Sequence, residues 1–372
     1  MRNSFRLGHL FGISIFVHFT WFIVFVMVTV SLVSYFAGMF PSLPEAIKFG
    51  LGFLASLFFF SSVLFHEMAH SLLAIRNGQP VRSITLFIFG GVSEIEKESE
   101  DPKTEIAVAA VGPLSSYFLA VVFAAIWYLS RSSFPIAAAV AQWLATINAA
   151  LGTFNLLPGL PLDGGRVLRG VIWRVTKDPI RATRITGNTG RALGYAIMMI
   201  GVIIAFRLNN LASGIWLGFI GFFLVNAAEM SLVQMEMQRA FAGMHAAQVM
   251  TTDCPSVPPA ISLAEFVEHH LLLSGRRCYV VGDPATPKGI ITLTDVRAVP
   301  RDQWGNTSVQ AAMRGIEKLC YVSPESDLDE VMHMLDANRI SQVVVMDEGK
   351  LLGMIGHEQL MRLIRNRAEL AA

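Results

Sequence analysis

Six long apolar segments restrict the possible folds of this chain more than any other feature. A bilayer whose hydrocarbon core is about 30 Å thick is crossed by roughly 20 apolar residues in a helix. The candidate segments are residues 12–37, 47–75, 106–129, 135–157, 191–207 and 211–230. Charged residues make up 15% of the chain, whereas an ordinary soluble domain has about 25%. We therefore expect a polytopic α-helical membrane protein with about six transmembrane helices.

The basic residues indicate how these helices are oriented. Cytoplasmic loops of membrane proteins carry an excess of Lys and Arg. Arg2 and Arg6 precede the first segment, Arg76 ends the second, and an arginine-rich stretch at 166–191, interpreted as a loop, follows the fourth. Placing these regions in the cytoplasm puts both termini there. The first segment is too long for a signal-peptide core, and no small-residue cleavage pattern follows it, so we expect it to be retained.

The connection between the second and third segments has a different character. It reads VRSITLFIFGGVSEIEKESEDPK, in which β-branched and aromatic residues lead to Gly90-Gly91 and then to an acidic tail. Strands favour β-branched and aromatic residues, and glycine favours the turns between them. This pattern predicts a small β-hairpin or sheet associated with the membrane helices.

The motif HEMAH, residues 66–70, lies at the end of an uncharged apolar stretch. Histidines at positions i and i+4 share one face of a helix, so His66 and His70 can reach a single metal ion. Glu67 can accept a proton from water at such an ion. Ionisable groups inside a membrane helix are costly and usually functional. The alternative is that these three residues lie among the lipid headgroups without a catalytic role.

A third metal ligand is expected from another segment, because catalytic zinc usually has three protein ligands. The stretch NLLPGLPLDGGR, residues 155–166, lies on the same side of the membrane as HEMAH in the expected topology. Its acidic residue, Asp163, stands among prolines and glycines that interrupt regular structure. The alternative is a helix-ending loop in which Asp163 caps the next segment.

HEMAH, together with N-x-x-P-x-x-P-L-D-G-G at 155–165, resembles the paired motif of the site-2 protease family of intramembrane zinc metalloproteases. GISIFVHFTWF near the N-terminus and FGGV at 89–92 are also similar to that family. The site residues that the resemblance implies are His66, His70 and Asp163 as ligands of one Zn²⁺ ion, Glu67 as general base and Asn155 near the scissile peptide.

The resemblance also implies that the strand before Gly90-Gly91 pairs with an extended substrate. A transmembrane helix must unwind locally before it is cut, and the strand at 83–89 would take up the backbone groups that lipid cannot satisfy. The alternative for FIFGGV is a plain hairpin with Gly91 in a bulge. The expected substrate-binding residues are Phe89, Gly90, Gly91, Pro158 and Pro161.

The chain changes character after about residue 240, where segments such as CYVVGD and QVVVMDEGK are typical of a soluble α/β domain. An internal repeat at an offset of about 64 residues relates KGIITL at 288–293 to LGMIGH at 352–357. A repeat of this kind indicates two similar units packed together. We expect a membrane domain followed by two repeats, with bounds 1–235, 236–304 and 305–372.

GIITLTDV, residues 289–296, resembles the signature of a CBS repeat, and site-2 proteases with a C-terminal CBS pair form a prokaryotic subgroup. The second repeat departs from this signature, since Gly356 and Gln359 replace the hydroxyl residue and the acid. The alternative is that the pair serves dimerisation or docking without a nucleotide. The resemblance implies that ATP or AMP binds through Gly289, Thr292 and Asp295.

The expected function is that of a zinc-dependent intramembrane endopeptidase that cuts transmembrane segments of membrane proteins and is modulated through its CBS pair. The expected partners are a substrate with a transmembrane helix, the lipid bilayer and a second copy of the chain. A net charge of +1 gives no reason to expect nucleic acid. The expected location is a prokaryotic cytoplasmic membrane. A CBS-regulated transporter and a non-catalytic membrane sensor are the alternatives, although neither needs the Glu67 carboxylate.

Overall fold

The chain divides into two compact units, Met1–Met235 and Glu236–Ala372. The first unit carries the apolar segments, and the second carries the internal repeat. The computed structural model describes residues 4–88, 90–95, 99, 101–241, 243–252, 255–274, 276, 278–283, 286–338, 340, 342–347, 350–357 and 359–363.

Long helices dominate the first unit. Within the described residues, six of them are long and apolar enough to cross a membrane, which confirms the expected number. A further helix, α5, is shorter and lies between the fourth and fifth of these. The bounds are α1 Phe19–Met39, α2 Glu45–Arg76, α3 Pro102–Ser130, α4 Pro135–Asn155, α5 Asp163–Thr176, α6 Pro179–Arg207 and α7 Leu211–Phe241.

The first apolar segment begins with a β-strand, Ile13–His18, and continues as helix α1. In this strand Ile13, Ile15 and Val17 are buried and the residues between them are half-buried, which is the two-residue period of a β-strand. The expected helix start at residue 12 is therefore wrong, because an apolar strand runs directly into an apolar helix with no polar boundary. The strands that precede α1 are β1 Ser4–Leu10 and β2 Ile13–His18.

The predicted hairpin is part of a four-stranded sheet with the order β1-β2-β3-β4, in which β3 is Val81–Phe87 and β4 is Gly90–Ile95. Strand β3 is parallel to β2 on one side and antiparallel to β4 on the other. Both of its edges are thus occupied by strands of the same chain. The expectation that the strand at 83–89 takes up substrate is wrong for β3, and the edges of the described sheet are β1 and β4.

The stretch at 166–191 is helical rather than a loop. Helix α5 ends at Thr176, and Lys177 follows with a left-handed φ of 59°. Helix α6 begins at Pro179, where the Asp178 carboxylate accepts a hydrogen bond of 2.9 Å from the backbone N–H of its first turn. The expectation of a loop is wrong because the arginines that suggested it are carried on α5 and on the first turns of α6.

The second unit contains two small mixed sheets that repeat one pattern. In each, a short strand runs parallel to a longer strand, which pairs antiparallel with the next one. This repetition confirms the expected α/β pair, while the division between residues 304 and 305 stays a prediction. The strands are β5 Ser256–Val257, β6 Cys278–Asp283, β7 Thr286–Thr292, β8 Arg314–Gly315, β9 Tyr321–Val322, β10 Gln342–Asp347 and β11 Lys350–Gly356. The helices are α8 Ala246–Val249, α9 Leu263–Phe266, α10 Leu272–Ser274, α11 Leu293–Ala298, α12 Val309–Ala312 and α13 Leu328–Asn338, with a π-helical turn at Val267–Leu271 and 3-10 turns at Arg301–Gln303 and Ile316–Lys318.

Candidate metal centre

Helix α2 brings the two histidines of HEMAH to one face. His66 and His70 are one turn apart and buried, and their Nε2 atoms lie 3.2 Å from each other. Asp163, the first residue of α5, places its Oδ2 atom 3.1 Å from Nε2 of His66 and 3.2 Å from Nε2 of His70. The structure therefore brings together the three side chains that were expected to bind a metal ion.

Close packing of the loop before α5 determines where Asp163 lies. A Cβ on Gly164 would stand 2.2 Å from the Leu156 carbonyl oxygen, and one on Gly165 would stand 2.2 Å from the Gly159 carbonyl carbon. Only residues without a side chain allow the loop to fold this tightly onto the first turn of α5. Asp163 is itself the first helical residue, so the alternative in which it caps this helix does not describe the structure.

A buried ion pair fixes α5 against α3. The Arg169 guanidinium on α5 contacts the Glu105 carboxylate on α3 through two pairs of atoms, with Nε to Oε1 at 2.8 Å and Nη2 to Oε2 at 3.0 Å. Only 1% of Glu105 is exposed. Beside this pair, Gly170 packs so closely on Ile106 that a Cβ would lie 2.6 Å from its Cγ1. Because Asp163 begins the same helix, these contacts also restrain the third ligand position.

Helix α3 supplies the groups behind both histidines. The Val108 carbonyl oxygen lies 2.6 Å from Nδ1 of His70, and Ser116 Oγ lies 2.9 Å from Nδ1 of His66. Gly112 lies between them, where a Cβ would be 2.1 Å from Nε2 of His70 and 2.7 Å from Nε2 of His66. A spacing of four residues puts all three on one stripe of α3. This stripe was not predicted from the sequence, where it shows as a Gly and a Ser four residues apart in an apolar helix.

The hydrogen bonds at Nδ1 test whether these residues suit a metal ion. A carbonyl oxygen can only accept, so Nδ1 of His70 carries a proton, and Nε2 is the nitrogen that would bind a metal ion in the neutral ring. In that form, the lone pairs of the two Nε2 atoms and the carboxylate oxygen of Asp163 would repel one another unless a positive charge lay between them. Nitrogen and oxygen ligands of a tetrahedral zinc ion lie roughly 3.3 Å from one another, which is close to the separations at this centre. The donor set fits zinc.

The electrostatic state of Asp163 agrees with that fit. Burial alone raises the pKa of Asp163, but the hydrogen bonds and charges of His66 and His70 lower it by more. The net effect is a pKa below the ordinary value of an aspartate. Metal ligands must be deprotonated, so an ionised Asp163 is in the form that a cation requires.

Glu67 faces strand β4. Its Oε2 atom accepts a hydrogen bond of 3.0 Å from the Ser93 hydroxyl. Gly91 approaches so closely that a Cβ there would lie 2.3 Å from the Glu67 Cγ atom. The irregularity in the pairing of β3 with β4 falls between Val81 and Ser83, so Gly91 is not the bulged residue of this hairpin. Strand β4 thus borders the Glu67 side chain directly.

The other expected substrate contacts lie on several elements. Gly90 begins β4 with a φ of 130°, and Phe89 falls outside the described residues. Asn155 is the last residue of α4, and its Nδ2 donates to a carbonyl oxygen of the preceding turn at 3.1 Å. Pro158 and Pro161 are exposed in the loop before α5. A role for these residues in substrate binding stays a prediction.

In the second unit, the residues expected to bind a nucleotide form a helix cap. Thr292 caps α11, and its backbone N–H and hydroxyl donate to Oδ2 of Asp295 at 2.9 and 2.5 Å. Oδ1 of Asp295 contacts Nε of Arg314 at 2.7 Å. A Cβ on Gly289 would lie 2.2 Å from the Arg314 carbonyl oxygen. Each expected residue thus has a structural contact, and nucleotide binding stays a prediction.

Comparisons with known proteins show which families and relatives this chain is similar to. The model of peptidase family M50 matches residues 54–140 and 131–201, and that of the CBS domain matches 246–302 and 315–366. A Synechocystis sp. protein named as a zinc metalloprotease, sll0528, is 31% identical over 99% of this chain and 97% of its own length. The similarly named Rip3 of Mycobacterium tuberculosis is 31% identical over 98% of this chain and 93% of its own. A solved structure of a site-2 protease from Methanocaldococcus jannaschii is 28% identical, with a TM-score of 0.43, and the match covers 62% of this chain and 95% of that one.

Proposed function

The chain belongs to peptidase family M50, the site-2 proteases, and is a zinc metalloprotease with a CBS-domain pair, and we propose that it cuts transmembrane segments of other membrane proteins at the centre between α2 and α5. The observation that carries this proposal is the convergence of His66, His70 and Asp163 beside Glu67 in a chain with six apolar helices. A transporter or a sensor has no use for a base next to a metal site.

We assign the roles of the centre as follows. His66, His70 and Asp163 hold the metal, and Glu67 is the general base. A zinc ion held by these residues would polarise the scissile carbonyl and lower the pKa of a water molecule. Glu67 takes the proton of the attacking water and delivers it to the leaving nitrogen. The hydrogen bonds from α3 to the two Nδ1 atoms keep both imidazoles oriented throughout.

The substrate is proposed to add as a strand to the outer edge of β4. The peptide groups of a transmembrane helix are satisfied inside that helix, and once it unwinds they need new partners that lipid cannot supply. An edge strand supplies them by main-chain hydrogen bonding. Because Gly91 and Ser93 lie against Glu67, a strand added at β4 would be held beside the base. Further proposed substrate contacts are Phe89, Gly90, Asn155, Pro158 and Pro161.

We propose that both termini lie in the cytoplasm and that the chain lies in a prokaryotic cytoplasmic membrane. Arg76 ends α2, and most arginines between α4 and the middle of α6 would then be cytoplasmic, as the positive-inside rule expects. His70 precedes Arg76 by six residues, which would put the metal centre toward the cytoplasmic end of α2. We keep residues 1–235 as the protease domain and 236–304 and 305–372 as the two repeats.

The CBS pair is proposed to regulate the protease through an adenine nucleotide, ATP or AMP, or through docking, with a second copy of this chain as one partner. The proposed contacts are Gly289, Thr292 and Asp295. The ion pair with Asp295 places the Arg314 guanidinium beside this turn, where its other N–H groups could donate to a phosphate group.

Reconstitution of the full chain in liposomes tests the proposed protease activity. The wild-type protein is expected to cut a synthetic single-span peptide and to hold about one zinc ion per chain. Glu67→Gln should keep the zinc and lose about 100- to 10,000-fold in the rate of cleavage, because the base is gone. Asp163→Asn should lose zinc. Peptide products are measured by mass spectrometry and zinc by atomic emission.

Glu45→Gln, at the start of the same helix, is the matched control and should cut the peptide at the wild-type rate. Cleavage by Glu67→Gln at that rate would contradict the proposed base. Active wild-type protein without any bound metal would contradict the proposed centre. Solute transport into the liposomes with intact peptide would favour the transporter instead.

A further inference from the structure

Two hydrogen bonds connect α2 to β4 beside the metal centre. The Ser71 hydroxyl donates to the Ser93 hydroxyl at 3.0 Å, and the Ser93 hydroxyl donates to Oε2 of Glu67 at 3.0 Å. Glu67 and Ser71 are one turn apart on α2, so Ser93 bridges two positions on a single helix face. Ser71 is fully buried and Ser93 is half-buried.

The direction of these bonds follows from the chemistry of the groups. Oε2 of Glu67 accepts from the Ser93 hydroxyl, so the single proton of that hydroxyl points at Glu67. The Ser93 oxygen can then accept a hydrogen bond, and the Ser71 hydroxyl donates it. Each hydroxyl has one orientation that satisfies the chain of bonds, and the Glu67 carboxylate is held at its end. Among the residues that the structure describes, Ser93 is the hydrogen-bond partner of this carboxylate.

Gly91 restrains the rest of the Glu67 side chain. Residues two apart on a strand point to the same face, so Gly91 and Ser93 both face α2. The missing Cβ of Gly91 lets the strand backbone come within contact of the Glu67 Cγ and Cδ atoms. A glutamate has three side-chain torsions and would otherwise sample several rotamers. The contact at Cγ and Cδ and the hydrogen bond at Oε2 leave Oε1 of Glu67 as the oxygen that can accept a proton from water.

We propose that Ser93 is a positioning residue for peptide hydrolysis, which holds the Glu67 carboxylate against β4 and so ties the base to the strand that receives the substrate. This inference rests on the proposed function, in which Glu67 is the base and β4 offers its outer edge. A substrate strand that pairs with β4 is then held in a fixed position relative to the Glu67 carboxylate, because the Ser93 hydroxyl of β4 bonds to that carboxylate.

The position of β4 gives the inference a mechanistic consequence. Strand β4 is an edge of the described sheet, and an edge strand presents unpaired backbone groups to which another strand can add. Pairing with substrate would steady β4, and with it Ser93 and the Glu67 carboxylate. The bond from Ser93 to Glu67, which the structure already shows, would then be kept while the peptide is cut, and this favours hydrolysis of extended, correctly paired segments.

Substitution of Ser93 in the full chain tests the inference, with kcat and KM for the synthetic single-span peptide and zinc per chain as readouts. Ser93→Ala should lower kcat by about tenfold or more, with KM and zinc content unchanged, because the lost hydroxyl contacts the base and the backbone of β4 that would pair with the peptide is kept. Ser93→Thr keeps the hydroxyl, suits a strand and should recover most of kcat. Ser71→Ala should cost less than Ser93→Ala, since it acts through Ser93.

Ser83→Ala is the matched control, because Ser83 lies on neighbouring β3 and its hydroxyl donates to Glu94 at 2.9 Å. It should leave kcat at the wild-type value. A Ser93→Ala variant with wild-type kcat, beside an inactive Glu67→Gln, would overturn the positioning role and leave the proposed protease intact. Loss of zinc in Ser93→Ala, or failure of Ser93→Thr to recover kcat, would also overturn it. Cleavage that does not depend on Glu67 would overturn both proposals.

Discussion

Gly112 on α3 lies so close to His70 on α2 that a β-carbon would stand 2.1 Å from the imidazole Nε2 atom. It lies inside a regular helix, so its backbone conformation does not demand glycine. The close approach of α2 demands it. Any side chain at this position would enter the space where the two Nε2 atoms and the Asp163 carboxylate meet.

Gly112→Ala is therefore expected to abolish zinc binding while the protein still folds. Alanine favours a helix more than glycine does, but its methyl group would displace His66 and His70 from their shared position. We expect the zinc affinity to fall by more than about 100-fold, measured by competition with a chelator. Gly50→Ala on α2 is the control, because a Cβ there meets nothing within 4 Å. Full zinc occupancy in Gly112→Ala would contradict the placement of the ion.

Ser116→Ala should weaken zinc binding by a smaller amount. The Ser116 hydroxyl lies 2.9 Å from Nδ1 of His66 and is fully buried, so its loss leaves that nitrogen without the contact that orients the ring. Removal of such a contact raises the dissociation constant for the metal by about 10- to 100-fold. Ser61→Ala, which removes an exposed hydroxyl from α2, should not change it. Equal effects of the two substitutions on zinc affinity would contradict an orienting role for Ser116.

Arg169→Gln is expected to lower both the thermal stability and the zinc affinity. It leaves the Glu105 carboxylate buried without its partner, and breaking a buried ion pair costs about 3–5 kcal/mol. The exposure of the Arg169 side chain, 19%, places the expected loss at the lower end of that range. Because α5 also carries Asp163, the zinc dissociation constant should rise together with the fall in unfolding temperature.

The controls for this ion pair lie on the same two helices. Arg174→Gln removes an exposed arginine from α5 and should change neither quantity. The double variant Glu105→Gln with Arg169→Gln removes the unpaired charge and should recover part of the unfolding temperature. An Arg169→Gln protein with wild-type stability would mean that the pair does not hold α5 in place.

The parts of the fold that depend on short stretches of sequence could be predicted. Six apolar segments of sufficient length gave six long helices, because in lipid a helix satisfies its backbone from within the segment. The approach of His66 to His70 follows from one helical turn. The proximity of Asp163 was predicted from the expected topology and from the paired motif, since nothing local connects residues 70 and 163.

The features that the sequence did not indicate are those that depend on contacts between distant segments. Strand β2 is apolar like the helix that follows, and its pairing with β3 decides its conformation. Ser93 and Ser116 carry no motif, and they matter because β4 and α3 come against α2. The edge of the described sheet lies at β4 and not at β3 because β2 pairs with β3. Strand β2 was expected to be helical.

Asp295→Ala is expected to destabilise the second unit as well as to alter any nucleotide binding there. The Asp295 carboxylate accepts from Thr292 at the start of α11 and pairs with Arg314. The substitution removes the Asp295 half of the capping box while the Thr292 cap stays, which costs about 0.5–1.5 kcal/mol, and Arg314 loses its partner too. The unfolding temperature of this unit should fall by about 2–8 °C, measured by calorimetry on the full chain.

Asp302→Ala, an exposed aspartate of the same repeat, is the control and should leave that temperature unchanged. Titration with ATP or AMP then separates the two effects, provided that it is done well below the lowered transition. Binding that is weaker in Asp295→Ala while the unit is still folded supports a contact between the nucleotide and this carboxylate. Equal binding by both variants, together with a lower unfolding temperature for Asp295→Ala alone, would mean that Asp295 serves the fold and not the ligand.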